Sequence, residues 1–448
     1  MSNSKIVIIG AGLSGSLLAI RLAQRGFLVE LHEKRSDMRK VSMSAGRSIN
    51  LALSDRGINA LRLIGMDEFM LDEAIPMTGR MVHGLDGSLM LQPYSGRADE
   101  YINSISRGGL NIGLLDKAES YENITIYFDS ECINADLDRE ICQFKKPDGS
   151  IVDVAGDLFV GTDGAGSAIR QSYFNQSARL RFSFSQQYLS AGYKELHIPP
   201  TENGGFKIEK NALHIWPRGG FMMIGLPNLD GSFTMTLFTD FEGEYGFNAI
   251  KTEEDVENYF TKYFPDAYAL MPDLKRDYFI NPASSLGTIK CYPWQFNGKF
   301  LLLGDAAHAV VPFYGQGMNC SFEDCVVFDQ CIDQFGDDWQ KVLPAVQELR
   351  KINADAIADL AVGNYTEMRD LVADPVFIKK RKLETKLEQM YPDYFSKYSM
   401  VTFRADLSYS YAQSRGDKQN EVLMKICSQT DDVDSLDTEK IMEMIRQL

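Results

Sequence analysis

The first 33 residues alternate between apolar runs and an amphipathic stretch, in the order that a βαβ unit requires. Residues 5–10 form a short apolar run that ends at a glycine, and residues 27–33 form a second run. Between the two runs, apolar residues at 13, 17, 18 and 22 recur at the spacing of one helix face, and a glycine follows at 26. The pattern predicts a buried strand, a helix over 14–25 and a second buried strand.

The rest of the chain divides into a β-rich middle and a helical end. Between 212 and 239, three short apolar segments are separated by turn residues at 218–220 and 228–231, which is typical of an antiparallel sheet. Helices are expected over 54–72 and 108–121, and a further strand over 157–161. Beyond residue 320, mixed acidic, basic and apolar residues predict helices almost throughout.

Length, charge and cysteines narrow the class of protein. The 448 residues allow about two or three domains. A net charge of -16 argues against nucleic acid and anionic membranes as partners. Seven cysteines without a C-x-x-C pair fit reduced thiols. Since the first apolar run ends at Gly10, it is too short for a secretory segment, and later apolar runs are interrupted by charge. We therefore expect a cytoplasmic protein with no membrane contact.

A glycine-rich turn lies where the first strand meets the first helix. Gly10, Gly12 and Gly15 have the spacing of a dinucleotide fingerprint, in which the glycines permit a tight turn, approach of a pyrophosphate and close helix packing. Glu33 ends the second strand, where an acid can accept ribose hydroxyls. The spacing by itself is a weak signal, but its βαβ context favours a dinucleotide site over an ordinary βα turn.

A second candidate segment runs from Gly304 to Asn319. The apolar strand 300–303 ends at a Gly-Asp pair, a glycine-rich turn follows, and a helix opens near Gly317. Asp305 can accept a sugar hydroxyl, and the helix N-terminus offers unpaired N–H groups to an anion. Residues 161–170 form another glycine-rich turn, around Asp163, that would by itself be only a turn.

These three segments, in this order, resemble the single-component FAD monooxygenases known as flavoprotein aromatic hydroxylases. Further stretches resemble the kynurenine 3-monooxygenase family, at 46–54, 79–83, 92–94, 192–196, 211–217, 226–230, 364–368 and 398–403. The resemblance implies an α/β fold, with a Rossmann-like FAD-binding domain of the glutathione-reductase type, an inserted antiparallel β-sheet substrate domain and a C-terminal helical region. The expected bounds are 1–75, 97–175 and 285–345 for the first, 76–96 and 176–284 for the second, and 346–448 for the third.

The resemblance also implies which residues contact the cofactor. Arg47, Asn50 and Arg107 are expected at the flavin ring or its ribityl-phosphate chain. The remaining expected contacts are Gly10, Gly12, Leu13, Ser14, Gly15, Glu33, Lys34, Arg35, Asp163, Gly304, Asp305, Gly315, Gly317, Met318 and Asn319. No metal is expected, because His308 has no partner at metal-ligand spacing and is interpreted as structural.

For the substrate, the resemblance implies a carboxylate site of Arg80, Tyr94 and Asn364. Arg80 supplies a planar, forked cation that suits a carboxylate. Without the resemblance, Arg80 would be taken for a surface residue, Tyr94 for core and Asn364 for a solvent-facing helix residue. Residues expected to line or close the aryl end are Phe238, Pro312, Phe313, Glu367 and Tyr409. Tyr411 is the alternative to Tyr409, since the stretch around them carries an extra residue.

The implied activity is 3-hydroxylation of L-kynurenine with FAD as cofactor and NADPH and O2 as co-substrates, by way of a flavin C4a-hydroperoxide. No catalytic acid or base is expected, because the ortho-amino group already activates the ring and positioning suffices. No second fingerprint follows a strand, so NADPH is expected to visit a surface groove. The alternatives are a monooxygenase for another aromatic acid and a kynurenine-binding flavoprotein oxidase. A homodimer is one assembly that the sequence allows.

Overall fold

The computed structural model describes residues 4–40, 50–372 and 374–448. The strands in these ranges are β1 (Lys5–Ile9), β2 (Leu28–His32), β3 (Asn50–Leu53), β4 (Ala74–Met77), β5 (Gly79–His83), β6 (Leu89–Pro93), β7 (Ile102–Ser106), β8 (Ile124–Tyr127), β9 (Glu131–Asp136), β10 (Ile141–Lys145), β11 (Ile151–Ala155), β12 (Leu158–Gly161), β13 (Ser183–Ile198), β14 (Ala212–Pro217), β15 (Met222–Pro227), β16 (Phe233–Asp240), β17 (Ser284–Tyr292), β18 (Gln295–Phe296) and β19 (Phe300–Leu302).

The helices in the same ranges are α1 (Leu13–Gln24), α2 (Asp55–Leu63), α3 (Asp67–Asp72), α4 (Arg107–Glu119), α5 (Ala168–Asn175), α6 (Ser177–Leu180), α7 (Glu253–Tyr263), α8 (Pro265–Tyr268), α9 (Leu274–Ile280), α10 (Gly317–Phe335), α11 (Trp339–Thr366), α12 (Pro375–Met390), α13 (Lys397–Thr402), α14 (Tyr409–Ser428) and α15 (Thr438–Arg446). Short 3₁₀ turns lie at Phe247–Ala249, Gly304–Ala306 and Pro312–Tyr314, and a π-helical turn at Glu367–Leu371 continues α11.

The N-terminal βαβ prediction is confirmed. Within the described ranges, β1 lies at the centre of a six-stranded sheet of order β18-β19-β12-β1-β2-β8, whose neighbours are parallel except for the β18–β19 pair. Helices α1, α4 and α10 pack near this sheet and enclose a core in which every side chain of 6–8 and 300–303 is fully buried. Both glycine-rich segments therefore leave the sheet at the carboxyl ends of parallel strands, where α/β proteins bind their ligands.

The predicted antiparallel sheet is also confirmed. A seven-stranded sheet runs β17-β13-β16-β15-β14-β5-β6 through the described ranges, antiparallel except for the β5–β14 pair. Successive side chains along each strand point to opposite faces of this sheet. Met223, Met235 and Leu237 belong to the core cluster that helices α7–α9 cover, and alternate residues face the opposite way. β17 continues this sheet to Tyr292, beyond the boundary expected at 285, because it pairs with β13.

One expectation about the helices changes, and another is confirmed. The helix expected over 54–72 is broken into α2 and α3 at Gly65, whose φ of 70° is a left-handed conformation that ends a helix. The predicted helical end is confirmed by α10–α15. Across the described part of the chain, none of the helices has the length and apolar character needed to cross a membrane.

A buried network of charges joins the six-stranded sheet to the C-terminal helices. Asp324 on α10 is fully buried and accepts hydrogen bonds from Gly304 N (3.0 Å), His308 Nε2 (2.6 Å) and Arg350 Nε (2.7 Å). The neighbouring Glu323 pairs with both Arg350 and Arg56. This network holds the turn after β19 against α10 and α11.

Arg56 carries the network to the C-terminal region. It donates to the backbone carbonyls of Val401 (3.0 Å), Arg404 (3.2 Å) and Leu407 (2.6 Å), and its guanidinium lies 4.0 Å from the centre of the Tyr409 ring. A buried guanidinium has five N–H donors to satisfy, and carbonyls at the end of α13 and in the segment after it accept them.

The Asp324→Asn substitution tests this network. Burial by itself lowers the pKa of His308, but the Asp324 carboxylate outweighs it and holds that pKa well above its ordinary value. The variant leaves His308 without its carboxylate partner and Arg350 with Glu323 alone, so we expect a loss of about 3–5 kcal/mol in the free energy of unfolding. Urea denaturation at pH 6 measures it. The raised His308 pKa makes the pair's contribution complete below about pH 6.5, to be lost as the pH rises through that pKa. A loss below about 1 kcal/mol would contradict the assignment.

Candidate active site

A cavity of about 870 Å³ lies between the carboxyl ends of the six-stranded sheet and one face of the seven-stranded sheet. Such a volume is in the range of a large ligand site. Side chains alternate between the two faces of the sheet along β15 and β16. Ile224 and Leu226 on β15, and Thr236 and Phe238 on β16, therefore face the cavity. Predicted site residues that line the cavity are Gly10, Gly12, Leu13, Ser14, Glu33, Lys34, Arg35, Asn50, Arg80, Tyr94, Arg107, Asp163, Phe238, Gly304, Asp305, Pro312, Phe313, Gly315, Gly317 and Met318.

The glycines of the first turn separate into two roles. A Cβ at Gly15 would overlap the Gly10 carbonyl oxygen, so Gly15 permits close packing and does not line the cavity. A Cβ at Gly12 would meet no atom within 4 Å, and this open backbone can admit a phosphate. Glu33 is buried at the end of β2, and its carboxylate accepts from Ala11 N and Arg35 N, each at 3.0 Å.

Two carboxyl groups face the middle of the cavity. Asp163 Oδ2 accepts from Ala168 N at 2.7 Å, whereas Oδ1 is buried without a hydrogen-bond partner among the described residues. Asp305 also lines the cavity. Desolvation raises the pKa of both carboxyls above the ordinary value, and the Arg107 charge lowers that of Asp305. These are polar groups that a hydroxyl-bearing ligand could satisfy.

The 312–319 segment forms the cavity wall beneath these acids. Pro312 begins a 3₁₀ turn, Gly315 ends it with a φ of 67°, and α10 opens at Gly317 towards the cavity. The first N–H groups of α10 can therefore bind negative charge. Asn319 does not line the cavity, because its side chain accepts from Ser54 N (3.0 Å) and donates to two backbone carbonyls. It fixes the start of α10 against β3.

The other polar residues expected at the cofactor have mixed surroundings. Asn50 lines the cavity while its amide donates to Pro227 O (2.9 Å) and Asn228 Oδ1 (2.6 Å). Lys34, Arg35 and Arg107 are exposed at the rim, and Arg35 also pairs with Glu33 at 2.7 Å. Arg47 lies outside the described residues.

At the other end of the cavity, one buried cation lies against two aromatic rings. Arg80 on β5 is 7% exposed, and its guanidinium carbon lies 5.7 Å from the Tyr94 ring centre and 5.2 Å from that of Tyr398. The two rings are stacked, with centres 5.1 Å apart and planes 10° apart. Glu367 approaches Arg80 at 3.6 Å. Cation–π contacts partly offset the cost of burying this charge.

Tyr94 has a hydroxyl that is ready for a ligand. The side chain is buried and lines the cavity, and no described residue is a hydrogen-bond partner of its oxygen. Burial raises the pKa of Tyr94 well above its usual value, so this hydroxyl stays protonated and can donate. Tyr398, which also lines the cavity, is a residue that the sequence interpretation missed, although it begins the family-like stretch at 398–403.

Aromatic side chains form the wall between Arg80 and the α10 N-terminus. Phe238 and Phe313 have ring centres 5.0 Å apart, and Phe313 stacks on Tyr365 at 4.3 Å. Pro312 and Met368 add to the same lining. The wall can hold a flat aromatic ligand and exclude water from its faces.

Three predicted substrate residues lie outside this lining. Asn364 donates from its amide to Phe313 O at 2.6 Å, and it faces a second cavity of about 330 Å³ together with Glu367. Tyr409 is fully buried on α14, stacks against Arg56 and donates its hydroxyl to Gln316 Oε1 at 2.9 Å. Tyr411, the alternative, is 48% exposed and does not line the cavity either. The structure therefore places Tyr409 behind the wall, where it supports the residue that precedes α10.

The one cluster of metal-ligating groups within the described ranges is His308, Cys320 and Asp324. Its atoms are already engaged, since both Asp324 oxygens are hydrogen-bonded and Arg350 lies 3.3 Å from Cys320 Sγ. A guanidinium beside the thiol opposes a cation there. We interpret the cluster as part of the charge network.

The donor set fits FAD. Each part of FAD finds a suitable partner along the cavity. The open backbone at Gly12 suits the phosphates, and the acid at the end of β2 suits the ribose. The two cavity-facing carboxyls suit the ribityl chain, and the α10 N-terminus suits the flavin. The strongest indication of a hydroxyl-bearing ligand is Asp163 Oδ1, which is buried without a hydrogen-bond partner among the described residues.

Comparison with known proteins agrees. Residues 3–329 match the family model described as an FAD binding domain. The chain is 44% identical over 443 residues to a kynurenine 3-monooxygenase of Myxococcus xanthus (98% of this chain, 94% of the relative), and 44% identical over 443 residues to one of Dictyostelium discoideum (96% and 94%). The solved structure of 2-methyl-3-hydroxypyridine-5-carboxylic acid oxygenase shares the fold at a TM-score of 0.65 and 20% identity, over 86% of this chain and 98% of that one. The chain belongs to the kynurenine 3-monooxygenase family.

Proposed function

We propose that this protein is an FAD-dependent, NADPH-consuming monooxygenase that hydroxylates L-kynurenine at ring C3. The observation that carries the proposal is the buried guanidinium of Arg80, at the far end of an aromatic-walled cavity whose other end suits a flavin. An amino acid with an aryl ketone side chain matches this arrangement, because its carboxylate and its ring need these two surroundings.

The substrate carboxylate is bound by Arg80 and the hydroxyl of Tyr94. The planar guanidinium presents parallel N–H groups to two carboxylate oxygens. The Tyr94 hydroxyl, which lacks a protein partner, supplies a further donor, and Tyr398 keeps Arg80 at the cavity by stacking. Asn364 and Glu367 act from behind, Asn364 by holding the Phe313 backbone and Glu367 by partly neutralising Arg80.

Positioning carries the rest of the reaction. The residues that line the flavin end of the cavity would hold FAD, which when bound would supply hydride acceptance from NADPH and oxygen activation. Phe238, Phe313 and Pro312 hold the aryl group and exclude water, which would otherwise waste reducing equivalents as hydrogen peroxide. The N–H groups at the start of α10 stabilise negative charge at the polar edge of the flavin. The substrate's own amino group activates its ring, so no protein base is required.

The remaining assignments are proposals of the same kind. The expected division into flavin, substrate and C-terminal regions follows the two sheets and α11–α15. NADPH visits a surface groove. The protein works in the cytoplasm, for which its seven free thiols are suited. A homodimer stays a prediction that sedimentation equilibrium can test.

Coupled turnover tests the function directly. The purified holoenzyme should oxidise NADPH slowly by itself and at least ~10-fold faster with L-kynurenine, with 3-hydroxykynurenine formed in near-equal amount. Stimulation with hydrogen peroxide as the only product would support the oxidase alternative. Turnover of a phenolic acid without turnover of kynurenine would instead favour another aromatic hydroxylase.

Replacing Arg80 tests the carboxylate site. Hydrogen bonds to charged groups contribute about 1.5–3 kcal/mol, so Arg80→Ala should raise the kynurenine KM roughly 10- to 150-fold. Flavin content, read from absorbance, should stay at the wild-type level. Arg276→Ala, an exposed arginine paired only at the surface, serves as the matched control and should change neither. An unchanged KM in Arg80→Ala would remove the assignment.

Tyr94→Phe separates binding from stability. Because the hydroxyl has no protein partner, its removal should leave the thermal midpoint of the ligand-free holoenzyme unchanged or slightly raised. The kynurenine Kd should rise roughly 10-fold, since a donor to a carboxylate is lost. Differential scanning calorimetry and a binding titration measure the two effects. A large fall in the midpoint would mean that the hydroxyl is bonded within the protein.

A further inference from the structure

A buried carboxylate outside the cavity holds two separate chain segments. Glu388 lies near the end of α12 with a side chain that is 1% exposed. Its Oε2 accepts from Gly96 N at 2.8 Å, and its Oε1 accepts from Ser396 N at 2.9 Å and from Ser399 Oγ at 2.6 Å. Three donors from two segments, almost 300 residues apart in the chain, therefore meet on one side chain.

Each of these segments carries one ring of the tyrosine pair that flanks Arg80. Gly96 follows Tyr94 by two residues, and Tyr398 lies between Ser396 and Ser399 at the start of α13. Because the two rings stack with centres 5.1 Å apart, their spacing depends on how the two backbones are held. Glu388 is the group that bonds to both backbones.

Neighbouring contacts leave little room for the two segments to shift. A Cβ at Gly96 would overlap the Thr385 carbonyl oxygen, so this backbone lies directly on α12. Arg381, two turns earlier on α12, donates to the carbonyl oxygens of Pro93 and Tyr94 at 3.2 Å each. Ser396 also caps α13 by accepting from Ser399 N at 3.2 Å. Helix α12 is thus the frame on which both tyrosines are mounted.

We infer that Glu388 is a positioning residue for substrate recognition: it sets the separation of Tyr94 and Tyr398, and through them the site for the substrate's carboxylate at Arg80. This inference rests on the proposed function. Glu388 touches neither substrate nor cofactor, so its effect should be specific to ligands that carry the carboxylate.

Glu388→Gln tests the inference, because an amide nitrogen cannot accept from Gly96 N or from Ser396 N and Ser399 Oγ. The probes are L-kynurenine and kynuramine, which lacks only the carboxylate. Each is titrated into oxidised holoenzyme, and the Kd is read from the change in flavin fluorescence. We expect the Kd of L-kynurenine to rise about 10-fold and that of kynuramine to change less than about twofold.

Two further variants keep the test decisive. Asp374→Ala removes the N-cap of the same helix, where Asp374 accepts from Val376 N and Phe377 N, and so weakens only the first turn of α12, about four turns from Glu388. It should leave the ratio of the two Kd values unchanged. Ser399→Ala removes one hydrogen bond to Glu388 and should raise the kynurenine Kd about threefold. If Glu388→Gln fails to retain flavin, Ser399→Ala decides.

Equal weakening of both ligands, or no weakening of either, would overturn the inference. So would an altered ratio in Asp374→Ala. Failure of the proposed function gives different results. A protein that does not bind kynurenine would show no kynurenine-dependent change in the wild-type fluorescence, and a protein that binds it without hydroxylating it would form hydrogen peroxide as the only product of coupled turnover.

Discussion

The carboxylate of Asp324 is the contact on which the geometry of the cavity depends. It joins the turn after β19, the helix that opens under the flavin position and the long helix α11, by bonds to Gly304, His308 and Arg350. Burial opposes its charge, and His308 and Arg350 nevertheless keep its pKa below the ordinary value. A buried charge is tolerable only when its partners are fixed, so the ion network and the cavity wall constrain each other.

The same constraint reaches the substrate end by a second route. Glu323 binds Arg56, and Arg56 binds carbonyls at the end of α13 and in the segment that links α13 to α14. Helix α13 carries Tyr398, whose ring lies over Arg80. The position of Arg80 relative to the flavin end is therefore determined by charges behind the cavity as well as by the sheet that carries it.

The sequence predicted the parts of this arrangement that are local. The turn at Gly10–Gly15 and the antiparallel strands between 212 and 239 follow from residue spacing, and both are confirmed. The split of the helix expected over 54–72 depends on the left-handed backbone of one glycine, which the periodicity does not reveal. The role of Tyr398 depends on a stack with Tyr94, and no pattern joins residues so far apart. Tyr409 is an aromatic residue of the kind that lines such cavities. A hydrogen bond to Gln316 and a contact with the Arg56 cation nevertheless hold it behind the aromatic wall of the cavity.

The cavity offers two anion sites of different kinds, and under the proposed function their difference orients the substrate. At the flavin end, backbone N–H groups and glycines provide diffuse positive potential that suits phosphates and a delocalised flavin charge. At the other end, one guanidinium provides a directed fork, and its stacked rings restrict the approach to a planar carboxylate. An amino acid that binds by its carboxylate at Arg80 must extend its side chain along Phe238 and Phe313 towards the flavin. Under the proposed function, the orientation of the substrate then follows from the position of Arg80, the buried cation that lines this cavity among the described residues, and the reacting ring carbon is selected by its distance from that cation.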